Sequence, residues 1–311
     1  MFNHREGYVR VGASVPRVAL AAPMENVDTY VELVKQASAD KVQLLLFPEL
    51  GLTGYSCGDL FLNRTLQQGA LDALAAILKQ TRALPIVFAV GLPLSVNNAL
   101  YNVAAICAAG HVWALIPKSY LPNYAEFYEA RWFSPARNAT VNRVKMFETY
   151  SVQFGVDIIV NVAEWPDFCL GTEICEDIWV PQPPSTFYAA AGATMLANLS
   201  ASNITIGKAE YRRELVVGAS GRFISAYLYC AAGPGESTSD LSWDGHALIA
   251  ERGAVLAESE RFVQTGNTLI TADVDVATLV RERQRQTSFA DNVADIMRGR
   301  TMRSVTITLN M

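Results

Sequence analysis

Val42-Gln43-Leu44-Leu45-Leu46-Phe47-Pro48-Glu49 is a short apolar run that ends at a proline and a single carboxylate. A half-exposed strand alternates apolar and polar residues, whereas a strand covered on both faces reads as a continuous block of this length. The run therefore predicts a buried central strand. Around it, residues 8–15 alternate and are β-branched enough for a strand, and residues 27–38 and 66–81 place apolar side chains at helical spacing. Residues 86–90, 101–107 and 111–116 read as further strands, the last two joined by a hairpin-like Ala-Ala-Gly. The second half repeats the mixture, with strands expected over 152–160, 168–174, 194–199, 246–250, 254–257 and 268–274, and helices over 185–192 and 209–227. Strands interleaved with helices throughout imply an α/β layered domain with no internal boundary.

That domain is expected over residues 1–290, leaving 291–311 as a C-terminal tail or linker. The stretch from Arg281 to Arg303 carries six arginines against Glu282, Asp291 and Asp295. It reads first as a solvated segment and second as a surface for docking a partner.

Composition narrows the function. Apolar residues make up 51% of the 311 and charged residues 18%, which excludes disordered and low-complexity classes. A net charge of −5 with no other basic block gives nucleic acid and anionic membranes little to bind, and favours a small polar substrate. Five cysteines without a Cys-x-x-Cys, and only three histidines, assemble no zinc site and predict reduced thiols. With a start of Met-Phe-Asn-His-Arg-Glu-Gly that lacks a signal pattern, a cytoplasmic protein is expected. Residues 83–117 contain no Asp, Glu, Lys or Arg, yet Pro85, Gly91, Pro93, Asn97, Asn98, Asn102 and Gly110 cut the run into strand-length pieces, not membrane spans.

Three residues at predicted strand ends carry the chemistry. Cys175, in Thr172-Glu173-Ile174-Cys175-Glu176-Asp177-Ile178-Trp179, sits where a strand ends and polarity changes abruptly, a place that presents a nucleophile at a sheet edge. A buried inert cysteine is the plain alternative. Glu173, Glu176 and Asp177 are expected to raise the thiol pKa, so a working thiolate requires a cation from elsewhere. Lys118, the first charge after the 35-residue run, can supply it; alone it would simply mark a strand emerging into water. Glu49 alone would be a loop or capping acid. Together, base, cation and thiol fall where layered α/β enzymes gather their catalytic groups. A Ser-His-Asp hydrolase is weaker, because His4 and His111 lie near a terminus and in a turn, leaving only His246.

The strings Phe47-Pro48-Glu49-Leu50 with Leu52-Thr53-Gly54-Tyr55, Pro117-Lys118-Ser119-Tyr120-Leu121-Pro122 and Glu173-Ile174-Cys175-Glu176-Asp177 resemble the Glu-Lys-Cys signature of the nitrilase superfamily of carbon–nitrogen hydrolases. Asn198-Leu199-Ser200-Ala201-Ser202, Ile204-Thr205-Ile206-Gly207-Lys208 and Gly235-Glu236-Ser237-Thr238 resemble, within it, the glutaminase domains of bacterial glutamine-dependent NAD synthetases. The resemblance runs from about residue 5 to 292. It implies a four-layer αββα sandwich that hydrolyses the glutamine side-chain amide to glutamate and ammonia through a thioester.

On this resemblance Glu49 is the general base, Cys175 the nucleophile and Lys118 the cation on the tetrahedral intermediate, with the Glu176 N–H as a second oxyanion donor. Tyr55, Glu129, Trp179 and Ser202 surround the bound glutamine, although Glu126 competes with Glu129 as the accessory carboxylate. No metal and no cofactor are implied. The Ser-Gly-Gly-x-Asp-Ser loop of the ATP-dependent synthetase domain does not occur in this sequence, and Gly233-Pro234-Gly235-Glu236-Ser237 lacks the features of a phosphate cradle. The expectation is therefore an ammonia source for a synthetase partner, without NAD formation of its own, and a homo-oligomer. A stand-alone amidase for another small amide and a catalytically silent interaction domain are the alternatives.

Overall fold

A computed structural model describes residues 7–309; His4 lies outside them. Two sheets form its centre. The first has the order β14-β1-β2-β3-β4-β5-β7-β6. Its strands are β1 (Tyr8–Val15), β2 (Leu44–Leu46), β3 (Val87–Val96), β4 (Ala99–Ala108), β5 (His111–Pro117), β6 (Arg143–Met146), β7 (Tyr150–Phe154) and β14 (Thr268–Asp275). The second, β13-β12-β11-β10-β9-β8-β15, comprises β8 (Ile158–Val162), β9 (Cys169–Ile174), β10 (Met195–Ser200), β11 (Ala226–Ala231), β12 (Ala247–Glu251), β13 (Ala254–Glu258) and β15 (Arg303–Ile307).

The period-two geometry of strands builds the layers. Val9, Val11, Leu44, Leu46, Ala104 and Ile106 of the first sheet meet Leu170, Met195, Ala197, Leu228 and Ile249 of the second in one buried core. Leu45, Phe88 and Val90 point the other way, onto helices α1 (Pro23–Ala39) and α2 (Arg64–Thr81). Leu196, Tyr227 and Leu248 face α3 (Pro184–Ala190) and α4 (Lys208–Phe223). The molecule is an αββα sandwich. The central run is covered on both faces, with Leu44, Leu45, Leu46 and Phe47 fully buried.

Three expectations change. The strand expected over 152–160 is two strands in different sheets, because Gly155 turns the chain at φ 144° and sends β8 across to the second sheet. The helix expected over 209–227 stops at Phe223: Ile224 adopts a left-handed conformation at φ 47°, and β11 begins two residues later, parallel to β10. The C-terminal segment, read as a tail from residue 291, is built into the fold. Helices α5 (Val276–Arg285) and α6 (Thr287–Ile296) lead to β15, which pairs in parallel with β8 and buries Val305 and Ile307.

The arginine-rich stretch is likewise not uniformly solvated. Arg283 donates to the carbonyls of Ala193, Phe223 and Ile224 at 2.6, 2.9 and 3.0 Å, which caps the end of α4 and ties it to the segment before β10. Arg303 pairs with Asp157 and donates to Phe154 O and Asn142 O at 2.8 Å, which ties the last strand to the turn between β7 and β8. Among the described residues no helix is long and apolar enough to cross a membrane.

Candidate active site

Glu49, Lys118 and Cys175 each lie within three residues of the end of a strand. Beyond β2, Phe47 and Pro48 carry the chain to Glu49, whose N–H donates to Ser200 O of the other sheet at 3.2 Å. This turn lies so close to β3 that a Cβ at Gly91 would sit 2.2 Å from the Leu50 nitrogen and 2.8 Å from the Glu49 carbonyl carbon. Only glycine leaves room there. Lys118 follows Pro117 at the end of β5, with its N–H on Asn102 O at 2.9 Å. Cys175 leaves β9 at φ 43°, a conformation costly for a non-glycine residue, and opens a single turn of 3-10 helix. That strained elbow is held by Asn198, whose Oδ1 accepts the Cys175 N–H at 3.1 Å.

The side chains converge in a dry cluster. Lys118 Nζ lies 2.6 Å from Glu49 Oε1 and 2.7 Å from Glu129 Oε1, and the three residues are at most 1% exposed. Asn102 Nδ2 donates to Glu49 Oε1 at 2.6 Å, and the Tyr55 hydroxyl to Glu129 Oε1 at 2.7 Å. The second oxygen of each carboxylate, Oε2, has no hydrogen-bond partner among the described residues. One ammonium thus serves two carboxylates. Burial works against the Lys118 charge, but Glu129 and Glu49 outweigh it and hold its pKa well above the ordinary lysine value. Burial pushes Glu129 up to about 7 against the pull of Lys118, so the surplus negative charge of the cluster takes up a proton there near neutrality.

Burial, then the Glu49 charge, pushes the Cys175 thiol up to about 12, while Lys118 opposes both. The flanking acids are not what raises it. Glu173 turns into the outer layer, where it accepts from the Tyr227 hydroxyl and from Ser185 N at 2.8 Å. Asp177 accepts the N–H groups of Ile174 at 3.0 Å and Tyr120 at 2.9 Å, which joins the elbow to the loop after Lys118.

A cleft of about 390 Å3 opens on Cys175, with Glu176, Trp179, Ser202, Tyr124 and Lys208 in its walls. The Ser202 hydroxyl is buried and without a partner among the described residues. Tyr124 donates to Glu176 Oε1 at 2.9 Å. Lys208 Nζ stands 5.3 Å from the Phe127 ring and 5.5 Å from that of Trp179, and donates to Asn203, which in turn donates to Glu126.

Trp179 and Ser202 therefore line the cleft, whereas Tyr55 and Glu129 do not; they support Lys118. Glu126 and Glu129 separate in the same way, Glu129 on the buried lysine and Glu126 at the cleft wall. Sequence reasoning missed Asn102 and Lys208 as site residues. Asn102 carries a signal in hindsight, being a polar side chain inside the charge-free run; Lys208 carries one too, as the last residue of the Ile204–Lys208 string, at the start of α4. His246 is buried against Glu258 at 2.9 Å, with Nδ1 unpartnered among the described residues, and forms no serine-histidine pair.

The carbon–nitrogen hydrolase family model matches residues 13–284. The glutamine-dependent NAD(+) synthetase of Mycobacterium tuberculosis is 43% identical over 291 residues, which are 93% of this chain and 42% of that protein. That of Saccharomyces cerevisiae is 30% identical over 81% of the chain and 36% of its own length. Among solved structures, a glutamine-dependent NAD(+) synthetase from Cytophaga hutchinsonii superimposes with a TM-score of 0.76 at 30% identity, over 94% of this chain and 47% of that one. An amidase from Nesterenkonia, at 18% identity and a TM-score of 0.69, shares the fold over 91% of this chain and 97% of its own. The present chain thus spans about two fifths of the length of the curated relatives it matches. Matched by the family model over most of its residues and folded as a two-sheet sandwich, the chain belongs to the carbon–nitrogen hydrolase family.

Proposed function

We propose that this chain hydrolyses the side-chain amide of glutamine to glutamate and ammonia. The observation that carries the reading is a buried Glu49–Lys118–Glu129 cluster within electrostatic reach of Cys175, while Cys175 itself lines a cleft whose walls carry both a cation, Lys208, and a carboxylate, Glu176. On this reading Lys208 meets the α-carboxylate and Glu176 the α-ammonium, and the Ser202 hydroxyl, unpartnered among the described residues, is free to meet the substrate. A plain aliphatic amide would use neither charge.

The Cys175 thiol is protonated at neutral pH, so attack needs a base in place. Glu49 takes the sulfur's proton as sulfur bonds to the amide carbon. The amide oxygen, now negative, is stabilised by the Lys118 ammonium and by the N–H of Glu176 in the first turn of the short helix, where donors have no intrahelical acceptor. Glu49 returns the proton to the leaving nitrogen and ammonia departs, leaving a thioester. Water then gives a proton to Glu49 and its oxygen to the thioester carbon; collapse expels sulfur, which regains that proton, and glutamate leaves.

On this reading the ammonia serves a synthetase partner in NAD formation, the chain works in the cytoplasm, and it assembles as a homo-oligomer through its outer helices. The relatives named as glutamine-dependent synthetases, more than twice as long as this chain, support the first point. The test is ammonia release by the purified chain from glutamine, asparagine and simple aliphatic amides. Glutamine should exceed the aliphatic amides in kcat/KM by about a hundredfold or more, since two charged contacts are at stake. Equal rates would replace the reading with a general amidase.

A further inference from the structure

Glu236 belongs to the loop between β11 and β12, far in sequence from the cluster and outside the cleft that opens on Cys175. Its carboxylate is given over to one short segment. Oε1 accepts the Tyr55 N–H at 2.7 Å, and Oε2 accepts the Ser56 N–H at 2.9 Å and the Ser56 hydroxyl at 2.5 Å. Ser56 Oγ in turn accepts the Ser237 N–H at 2.7 Å. Tyr55, so held by its backbone, passes its hydroxyl to Glu129 Oε1, and the same oxygen receives Lys118 Nζ. Its ring packs edge-on against Trp243, whose indole N–H donates to Ser237 O at 2.7 Å, in the same loop as Glu236.

The loop is fixed at its root as well. Pro234 O accepts the Val18 N–H at 3.0 Å, and a Cβ at Gly235, where φ is 97°, would lie 1.9 Å from Val18 O. Burial raises the Glu236 pKa, and the donors from Ser56 and Tyr55 oppose it; no cation among the described residues contributes. A carboxylate kept against its desolvation penalty by three donors of one dipeptide specifies where that dipeptide sits.

We infer that Glu236 is a positioning residue for the reaction: it sets Tyr55, which sets Glu129, which holds Lys118 against Glu49. The inference rests on the hydrolase reading above. It says that the loop between β11 and β12 acts on turnover through a hydroxyl, with no contact to substrate.

The experiment is a double-mutant cycle on the full chain. Tyr55→Phe removes only the hydroxyl, and Glu236→Gln replaces one acceptor oxygen by a donor facing N–H groups. Each should lower kcat for ammonia release from glutamine about thirtyfold, the cost of one hydrogen bond to a charged group, with KM within about twofold. Acting in series, the double variant should be no slower than Glu236→Gln alone. Ser56→Ala, which keeps both backbone donors, should lose less, in the same direction. Additive losses in the double variant, or a change confined to KM, would overturn the inference.

Alkylation of Cys175 by iodoacetamide gives a readout that does not need turnover. Tyr55→Phe, Glu236→Gln and the double variant should slow it alike. Should the parent release no ammonia from any amide, the hydrolase reading falls and the alkylation series decides the linkage by itself: equal slowing keeps it, and parental rates in Glu236→Gln refute it. Should Glu236→Gln fail to fold, Ser56→Ala in the cycle with Tyr55→Phe carries the same decision.

Discussion

Replacing Lys118 by methionine keeps the unbranched stem to the ε position and removes the cation between Glu49 and Glu129. In the parent one ammonium lies between two acidic side chains; the variant leaves both acids together, without it, in a pocket at most 1% exposed. Breaking a buried pair by removing one partner costs about 3–5 kcal/mol, because a charge is left uncompensated. The variant escapes part of this by protonation. Each proton taken up by the folded state alone raises stability by about 1.4 kcal/mol for every unit by which pH falls. In the parent, Glu129 already takes up one such proton near pH 7, so its own stability rises as pH falls through that value. The variant lacks the opposing ammonium and should take up a second proton across the same window. Its deficit should therefore shrink by up to about 3 kcal/mol between pH 8 and pH 6. Urea unfolding of both proteins at the two pH values measures this directly. A deficit under about 1 kcal/mol at pH 8, or one unchanged at pH 6, would show that the cluster is not the buried, one-cation arrangement described.

Cys175→Ala should leave the unfolding midpoint within a few degrees of the parent and abolish ammonia release; substantial release would remove the nucleophile. The rate with glutamine should rise with pH through about 7, as the Glu129 carboxylate forms, and Glu129→Gln should flatten that limb, which a pH profile of kcat/KM will show. Gly91→Ala drives a methyl into the Leu50 nitrogen and should lower kcat about tenfold to a hundredfold by displacing Glu49, with circular dichroism unchanged. Ile307→Ala, deep against β8, should cost about 2–5 kcal/mol in urea unfolding, whereas a loss under about 0.5 kcal/mol would restore the view of the C-terminal segment as a tail.

The sequence by itself determined the layered α/β class and most of the strands, because period-two and period-3.6 patterns and charge-free runs are local properties of the chain. Glu49, Lys118 and Cys175 stand out for that reason: each is a polar group directly after an apolar strand. The resemblance in their flanking strings added the family and its αββα sandwich, and pointed to Tyr55, Glu129, Trp179 and Ser202 as accessory residues. What local pattern could not separate was one strand from two over 152–160, where a single turn at Gly155 moves the chain to the other sheet, or helix from strand past Phe223. Nor could it place Arg283 and Arg303, whose partners lie up to about 160 residues away and turn a basic tail into caps and ties.

The division of labour between Glu126 and Glu129 was equally out of reach, since three residues of spacing say nothing about which carboxylate meets Lys118. Only the tertiary structure decided that, along with Asn102 on Glu49, Lys208 at the cleft and Glu236 behind Tyr55. These are contacts between segments brought together by packing two sheets face to face. Their energies depend on burial and on distances of about 3 Å, which no one-dimensional pattern records.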